Sequence, residues 1–175
     1  MPCSETVADE ENVEGLLFAF GADGNGGNIQ LLTTSGDISL IGRVDAYAIH
    51  NSSSPGSAGT ITMQTLQGNI TTEAISAYSL ALFINNAARN GGAISLQAPN
   101  GDIATGLIDS HSEARGLLGD TGDGGPVEIS AGGSITIGGH VATYALASIN
   151  NNNSGLAGSG GDIRLQTAGD LLITD

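Results

Sequence analysis

The sequence predicts an all-β fold, a parallel β-helix of about four and a half coils of roughly 33 residues, with three short strands per coil. Three observations predict it. A phrase of the form Gly-x-Ile-x-Leu recurs at a near-fixed period. Apolar residues alternate with polar or small ones inside each phrase, the period of a strand with one buried face. No segment carries an i, i+3, i+4, i+7 apolar stripe, the mark of an amphipathic helix.

The first strand of each coil is the clearest element. It reads Gly27-Asn28-Ile29-Gln30-Leu31, Gly59-Thr60-Ile61-Thr62-Met63, Gly92-Ala93-Ile94-Ser95-Leu96, Gly125-Pro126-Val127-Glu128-Ile129 and Gly161-Asp162-Ile163-Arg164-Leu165. Its first apolar residues are spaced by 32, 33, 33 and 36 positions. The second strand follows as Gly36-Asp37-Ile38, Gly68-Asn69-Ile70, Gly101-Asp102-Ile103, Gly133-Ser134-Ile135 and Gly169-Asp170-Leu171. A third segment appears in four copies, around Tyr47, Tyr78, His111 and Tyr144, and a loop rich in Asn, Ser and Gly closes each coil. One such unit cannot bury a core alone. Stacked copies can, with like residues in rows about 4.8 Å apart. The inward rows are then Ile29, Ile61, Ile94, Val127, Ile163; Leu31, Met63, Leu96, Ile129, Leu165; and Ile38, Ile70, Ile103, Ile135, Leu171. A propeller blade repeats at about 40 residues or more, with four strands, and a sandwich has no reason to repeat its sequence.

Composition narrows the function. Eighteen acids face four bases, all Arg, for a formal net charge of −14. Such a chain is ill suited to nucleic acid, whose phosphates are neutralised by Lys and Arg, or to an anionic membrane surface. No apolar run reaches the roughly 18 residues of a membrane span. Residues 1–14 form an acidic segment, loose or capping, with neither a charged n-region nor an apolar core of a signal peptide; residues 15–175 hold the repeats. Cys3 is the only cysteine, so neither a disulfide framework nor a Cys-based metal site arises within one chain.

The pattern Gly-Gly-x-Ile-x-Leu-x-x-x-x-Gly-Asp-Ile, with its Asn/Ser/Gly loops and few aromatics, resembles the repeats of filamentous-haemagglutinin-like bacterial exoproteins, the adhesins of two-partner secretion. The resemblance covers about residues 26–175. It implies a right-handed coil, an extracellular or cell-surface location, and structural or adhesive duty without catalysis. The secretion domain found at the amino end of that family is not visible in this chain. Residues 15–20 read as a truncated third strand and the chain stops after a second strand. These edges suggest a segment of a longer solenoid, or self-association through coil ends.

Candidate binding residues lie in the third segment. Tyr47, Tyr78 and Tyr144 share one column, with His111 in their place in the third coil and Glu113 beside it. A stacked aromatic ladder stabilising the third strand is the simpler reading; a strip binding host or surface glycans is the sharper one. The column Asp37, Asn69, Asp102, Ser134, Asp170 reads as turn chemistry with spaced charges, against a carboxylate row for glycosidic chemistry. No Lys and only scattered Arg residues accompany it, so no catalytic residue is assigned. Residues 23–27 and 120–125 are similar to Gly/Asp calcium loops but lack the nonapeptide tandem of calcium β-rolls, so calcium is the one cofactor kept open. His50, His111 and His140 sit in separate repeats without a second ligand at metal-binding spacing. Asn51, Asn85, Asn86 and residues 150–153 suggest an amide ladder between coils. A regular Thr ice-binding face fails, because the outward column of the first strand reads Gln30, Thr62, Ser95, Glu128, Arg164. Glu128 and Arg164 in it suggest an ion pair across coils.

Overall fold

The structure, a computed structural model, describes residues 11–14, 17–22, 24–50, 56–83, 86–116, 119–147, 149–150 and 153–174. Among them there is no helix; every regular element is a strand. The order is β1 (Glu11–Glu14), β2 (Leu17–Ala22), β3 (Ile29–Thr33), β4 (Ile38–His50), β5 (Ile61–Thr65), β6 (Ile70–Ala81), β7 (Ile94–Ala98), β8 (Ile103–Thr105), β9 (Leu107–Ala114), β10 (Val127–Ala131), β11 (Ile135–Ile137), β12 (Val141–Ala147), β13 (Ile149–Asn150), β14 (Asn153–Ser154), β15 (Ile163–Thr167) and β16 (Leu171–Ile173).

The strands stack coil on coil into a parallel β-solenoid. The first strands form one sheet in the order β15-β10-β7-β5-β3, and the second and third strands form another of nine strands. The register is the one the repeat dictates. Ile29 pairs with Ile61, Ile61 with Ile94, Ile94 with Val127 and Val127 with Ile163. The second strand aligns Ile38, Ile70, Ile103, Ile135 and Leu171 in the same way. These rows, joined by Val44, Ile75 and Ile108, make one continuous core. Ile61, Met63, Ile70 and Ile135 are fully buried, whereas Ile163 and Leu171, in the last coil, are about half exposed.

Close stacking explains the glycine before each first strand. A Cβ on Gly59 would run into the carbonyl of Gly27, one on Gly92 into Gly59, and one on Gly125 into Gly92. Only a hydrogen fits between carbonyls of successive coils, so the row is glycine from top to bottom.

The structure refines the three-strand coil. In the first two coils the second and third segments run on as the single long strands β4 and β6. In the next two they divide into β8 and β9, then β11 and β12. Between β4 and β6 the register slips at Leu40/Arg43. Ile41 and Gly42 stand opposite Glu73 alone, and Gly42 takes a φ of 127°, which glycine alone adopts without strain. Of the acidic segment 1–14, residues 11–14 are described. They form β1, paired in parallel with Ile38–Ile41. β2 pairs with the latter half of β4, Leu17 opposite Val44 and Phe20 opposite Tyr47, so it occupies a third-strand position. Cys3 and Asp23 lie outside the described residues.

Candidate functional site: the outer face of the third strand

Val44, Ala46 and Ala48 are fully buried, as are Ile75, Ala77 and Ser79, then Ile108, Ser110 and Ser112. Alternation therefore turns the residues between them outward. Pairing aligns these outward positions into three columns. The first holds Phe18, Asp45, Ser76, Asp109 and Ala142; the second Phe20, Tyr47, Tyr78, His111 and Tyr144; the third Ala22, Ile49, Leu80, Glu113 and Leu146. All five residues expected in a ligand strip, Tyr47, Tyr78, His111, Glu113 and Tyr144, thus share one face, four of them in one column. The chain has only six Phe and Tyr and no Trp; five of the six belong to these columns.

The central column is a ladder of rings. Ring centroids are 4.9 Å apart for Phe20–Tyr47, 5.1 Å for Tyr47–Tyr78, 5.0 Å for Tyr78–His111 and 4.7 Å for His111–Tyr144. The last three pairs are parallel to within 5°, and Phe20 is tilted by 38°. The coil rise sets this spacing, since side chains on adjacent strands inherit the roughly 4.8 Å separation of their backbones. Each inner ring has both faces covered by its neighbours and shows only its edge. Tyr144, more than a third exposed, has one ring neighbour. Burial raises the pKa of Tyr78, helped by the Asp45 carboxylate. Burial likewise raises that of Tyr144, helped by Asp109 and Glu113. Both phenols are held in the neutral form.

Polar groups cross this face in the third coil. Asp109, His111 and Glu113 alternate along β9 and so point the same way. Asp109 Oδ1 lies 3.0 Å from His111 Nδ1, but the pair is not aligned as a hydrogen bond, and neither buried atom has another partner. On the other side of the ring, His111 Nε2 is 3.9 Å from Glu113 Oε2. Arg115 grips Glu113 through Nε at 2.8 Å and Nη2 at 3.1 Å; these hydrogen bonds raise the Arg115 pKa. Arg43 pairs with Asp45 at 3.3 Å and reaches Ser76 Oγ at 3.4 Å. Two of the three carboxylates on this face therefore have an arginine. Asp109 has the imidazole alone.

The arrangement offers an acid–base pair but no serine, cysteine or threonine nucleophile bonded to His111. Ser110 points inward, where its hydroxyl donates to Gly92 O at 2.7 Å and accepts from Gly125 N at 2.9 Å. Among the described residues no cluster of three or more His, Cys, Asp or Glu side chains is placed to hold a metal. Buried His50, far along β4, bonds Gly56 O at 2.7 Å through Nε2, with Ser79 Oγ at 3.2 Å.

The acidic column has a specific task. Asp37 Oδ1 accepts from Asn69 N at 2.7 Å, Asn69 Oδ1 from Asp102 N at 2.8 Å, and Asp102 Oδ1 from Ser134 N at 2.6 Å. Ser134 Oγ accepts from Asp170 N at 3.2 Å. Each side chain thus receives the backbone N–H of the next coil. The loop of residues 120–125 works alike: Asp120 Oδ1 accepts from Leu156 N at 2.7 Å and Asp123 Oδ1 from Ser159 N at 2.8 Å. Of the asparagines expected to link coils, Asn51 and Asn85 lie outside the described residues, and Asn86 is joined through its backbone N–H to Phe83 O. The linking side chains are instead Asn25, Asn28, Asn69 and Asn90. The Glu128–Arg164 pair spans coils at 3.9 Å with both side chains more than half exposed.

Sequence reading missed Asp109, Phe18 and Phe20. The signal for Asp109 was present, since residues two before and two after His111 share its face in a strand. Phe20 needed the register of β2 on β4. Comparison with protein-family profiles, with curated proteins and with solved structures returned no match to this chain.

Proposed function

We propose that this chain is a non-catalytic structural and adhesive segment of a secreted or cell-surface β-helix exoprotein of the filamentous-haemagglutinin-like kind. The observation that carries the reading is the commitment of the polar side chains. Asp37, Asn69, Asp102, Asp120 and Asp123 each bind backbone of the following coil, so acids that a polysaccharide-cleaving enzyme would use hold the shaft together instead. The repeat phrase of the resemblance and the unbroken register support the same reading. The test uses beads coated with the protein on cell and glycan surfaces, together with assays on acidic polysaccharides. Adhesion without turnover is the expected result. Measurable cleavage would overturn the non-catalytic half, and beads that bind nothing would overturn the adhesive half.

A second reading, a carbohydrate-binding module, is favoured by one observation: Tyr144 presents a ring with only one neighbour, and an open ring face is what a sugar stacks on. Glycan binding abolished by Tyr144→Ala and retained in Tyr47→Ala would favour it.

A further inference from the structure

We propose that the outer face of the third strand is a docking surface for a cationic amphipathic helix of a partner protein. The inference rests on the adhesive half of the function proposed above and names the partner's chemistry. The face is apolar at both ends and anionic between them. At one end Phe18 and Phe20 are 59% and 49% exposed; at the other, Leu146 is 52% exposed beside Tyr144. Four ring-to-ring steps of 4.7–5.1 Å separate Phe20 from Tyr144. That span of about 20 Å matches a helix of roughly 13 residues at 1.5 Å each. Three outward columns two residues apart along a strand are about 13 Å wide, close to the 10–12 Å diameter of a helix.

Charge selects the occupant. The Asp45 and Glu113 carboxylates are each answered by an arginine of their own strand, leaving Asp109 with no cation but the neighbouring imidazole ring. Asp109 lies between the two apolar ends. Around it extends a chain of net charge −14 with no Lys, whose field favours a basic partner and opposes a second copy of itself. The covered ring faces turn only edges outward, so the contact is made by ring edges, phenol hydroxyls and flanking aliphatic groups rather than by stacking. A helix laid along the axis would place apolar residues on both ends and a Lys or Arg over Asp109.

The test titrates the full chain with a fluorescent 14-residue Leu/Lys peptide of helical amphipathic pattern, and with its Leu/Glu counterpart. The expected result is binding of the Lys peptide alone, weakened about tenfold by Phe18→Ser or Leu146→Ser, the scale of losing an interface anchor. Asp109→Asn should weaken it several-fold with a shallower salt dependence. Glu128→Gln removes the same charge from the opposite face and should change affinity by less than about twofold. Thermal melts of each variant separate loss of binding from loss of fold; Phe18 and Leu146 are exposed, so the melts should stay unchanged. Equal weakening by Glu128→Gln and Asp109→Asn would mean generic attraction to an acidic protein and would overturn the proposal. So would equal binding of the Leu/Glu peptide, or a self-dimer that Phe18→Ser dissolves. Beads that still adhere while the peptide fails to bind would sink this inference and leave the adhesive reading standing.

Discussion

The two outer faces of the solenoid share one interior and differ in almost everything else. Over the first strand the outward column is Gln30, Thr62, Ser95, Glu128 and Arg164. Over the third strand it is Phe20, Tyr47, Tyr78, His111 and Tyr144. Both are strands of period two on the same coil rise. The fold dictates what turns inward, because the rows must fill a common core, and it leaves the outward residues free. Aromatic residues confined to one of two otherwise equivalent faces therefore report a demand that folding does not impose. Part of that demand is local stability from stacked rings; the remainder is contact with something outside.

The comparison can be broken or sharpened by substitution. The largest effect belongs to the shared interior. Ile94→Ala, at a side chain 1% exposed, should cost about 2–5 kcal/mol in urea denaturation, with both faces unfolding in one transition. Two separate transitions would show that the sheets do not share a core. Tyr78→Ala should cost about 2 kcal/mol by removing two ring contacts, while Ser95→Ala on the other face should stay within about 0.5 kcal/mol. Equal losses would erase the distinction between the faces. Asp102→Ala should cost about 1 kcal/mol by leaving the Ser134 N–H without its acceptor, and Asp102→Asn much less, since the amide oxygen can accept the same bond.

An alkaline titration probes the aromatic face alone. The Tyr78 and Tyr144 pKa values are raised above the ordinary 10.0 by burial and by nearby carboxylates. A raised folded-state pKa means that the neutral phenol is favoured by folding. That stability is fully present below the unfolded pKa near 10 and is lost as pH climbs through the higher folded value. Tyr78→Phe should flatten the decline, and an unchanged profile would show that the ring does not feel its surroundings. The smallest effect is Glu128→Gln, which should shift stability by no more than about 0.5 kcal/mol, because the pair with Arg164 is exposed and 3.9 Å long.

The rows were legible because repetition acts as its own alignment. Once Ile29, Ile61, Ile94, Val127 and Ile163 were matched, period two placed Tyr47, Tyr78, His111 and Tyr144 in one column. What escaped reading depends on geometry between coils. Asp37 accepts from a backbone 32 positions on, and nothing around Asp37 distinguishes that task from turn formation. The fusion of second and third strands turns on whether residues 39–45 and 71–76 bend at a corner, which composition does not mark. Asp109 was overlooked because His111 and Glu113 drew notice as departures from an apolar pattern, while Asp109 stands where Asp45 already places a carboxylate.

The side-chain relay from Asp37 through Asn69, Asp102 and Ser134 to Asp170 is directional: oxygen on the earlier coil, N–H on the later one. A chain emerging from the ribosome amino end first lays each new turn onto acceptors already in place, so the assembly lengthens as a template reads itself forward. Peeling back the latest turn returns a carboxylate or hydroxyl to water, a mild change. Stripping away the earliest strands an amide of the turn above of its partner, so wear on such a rod is gentler at its growing tip than at its root.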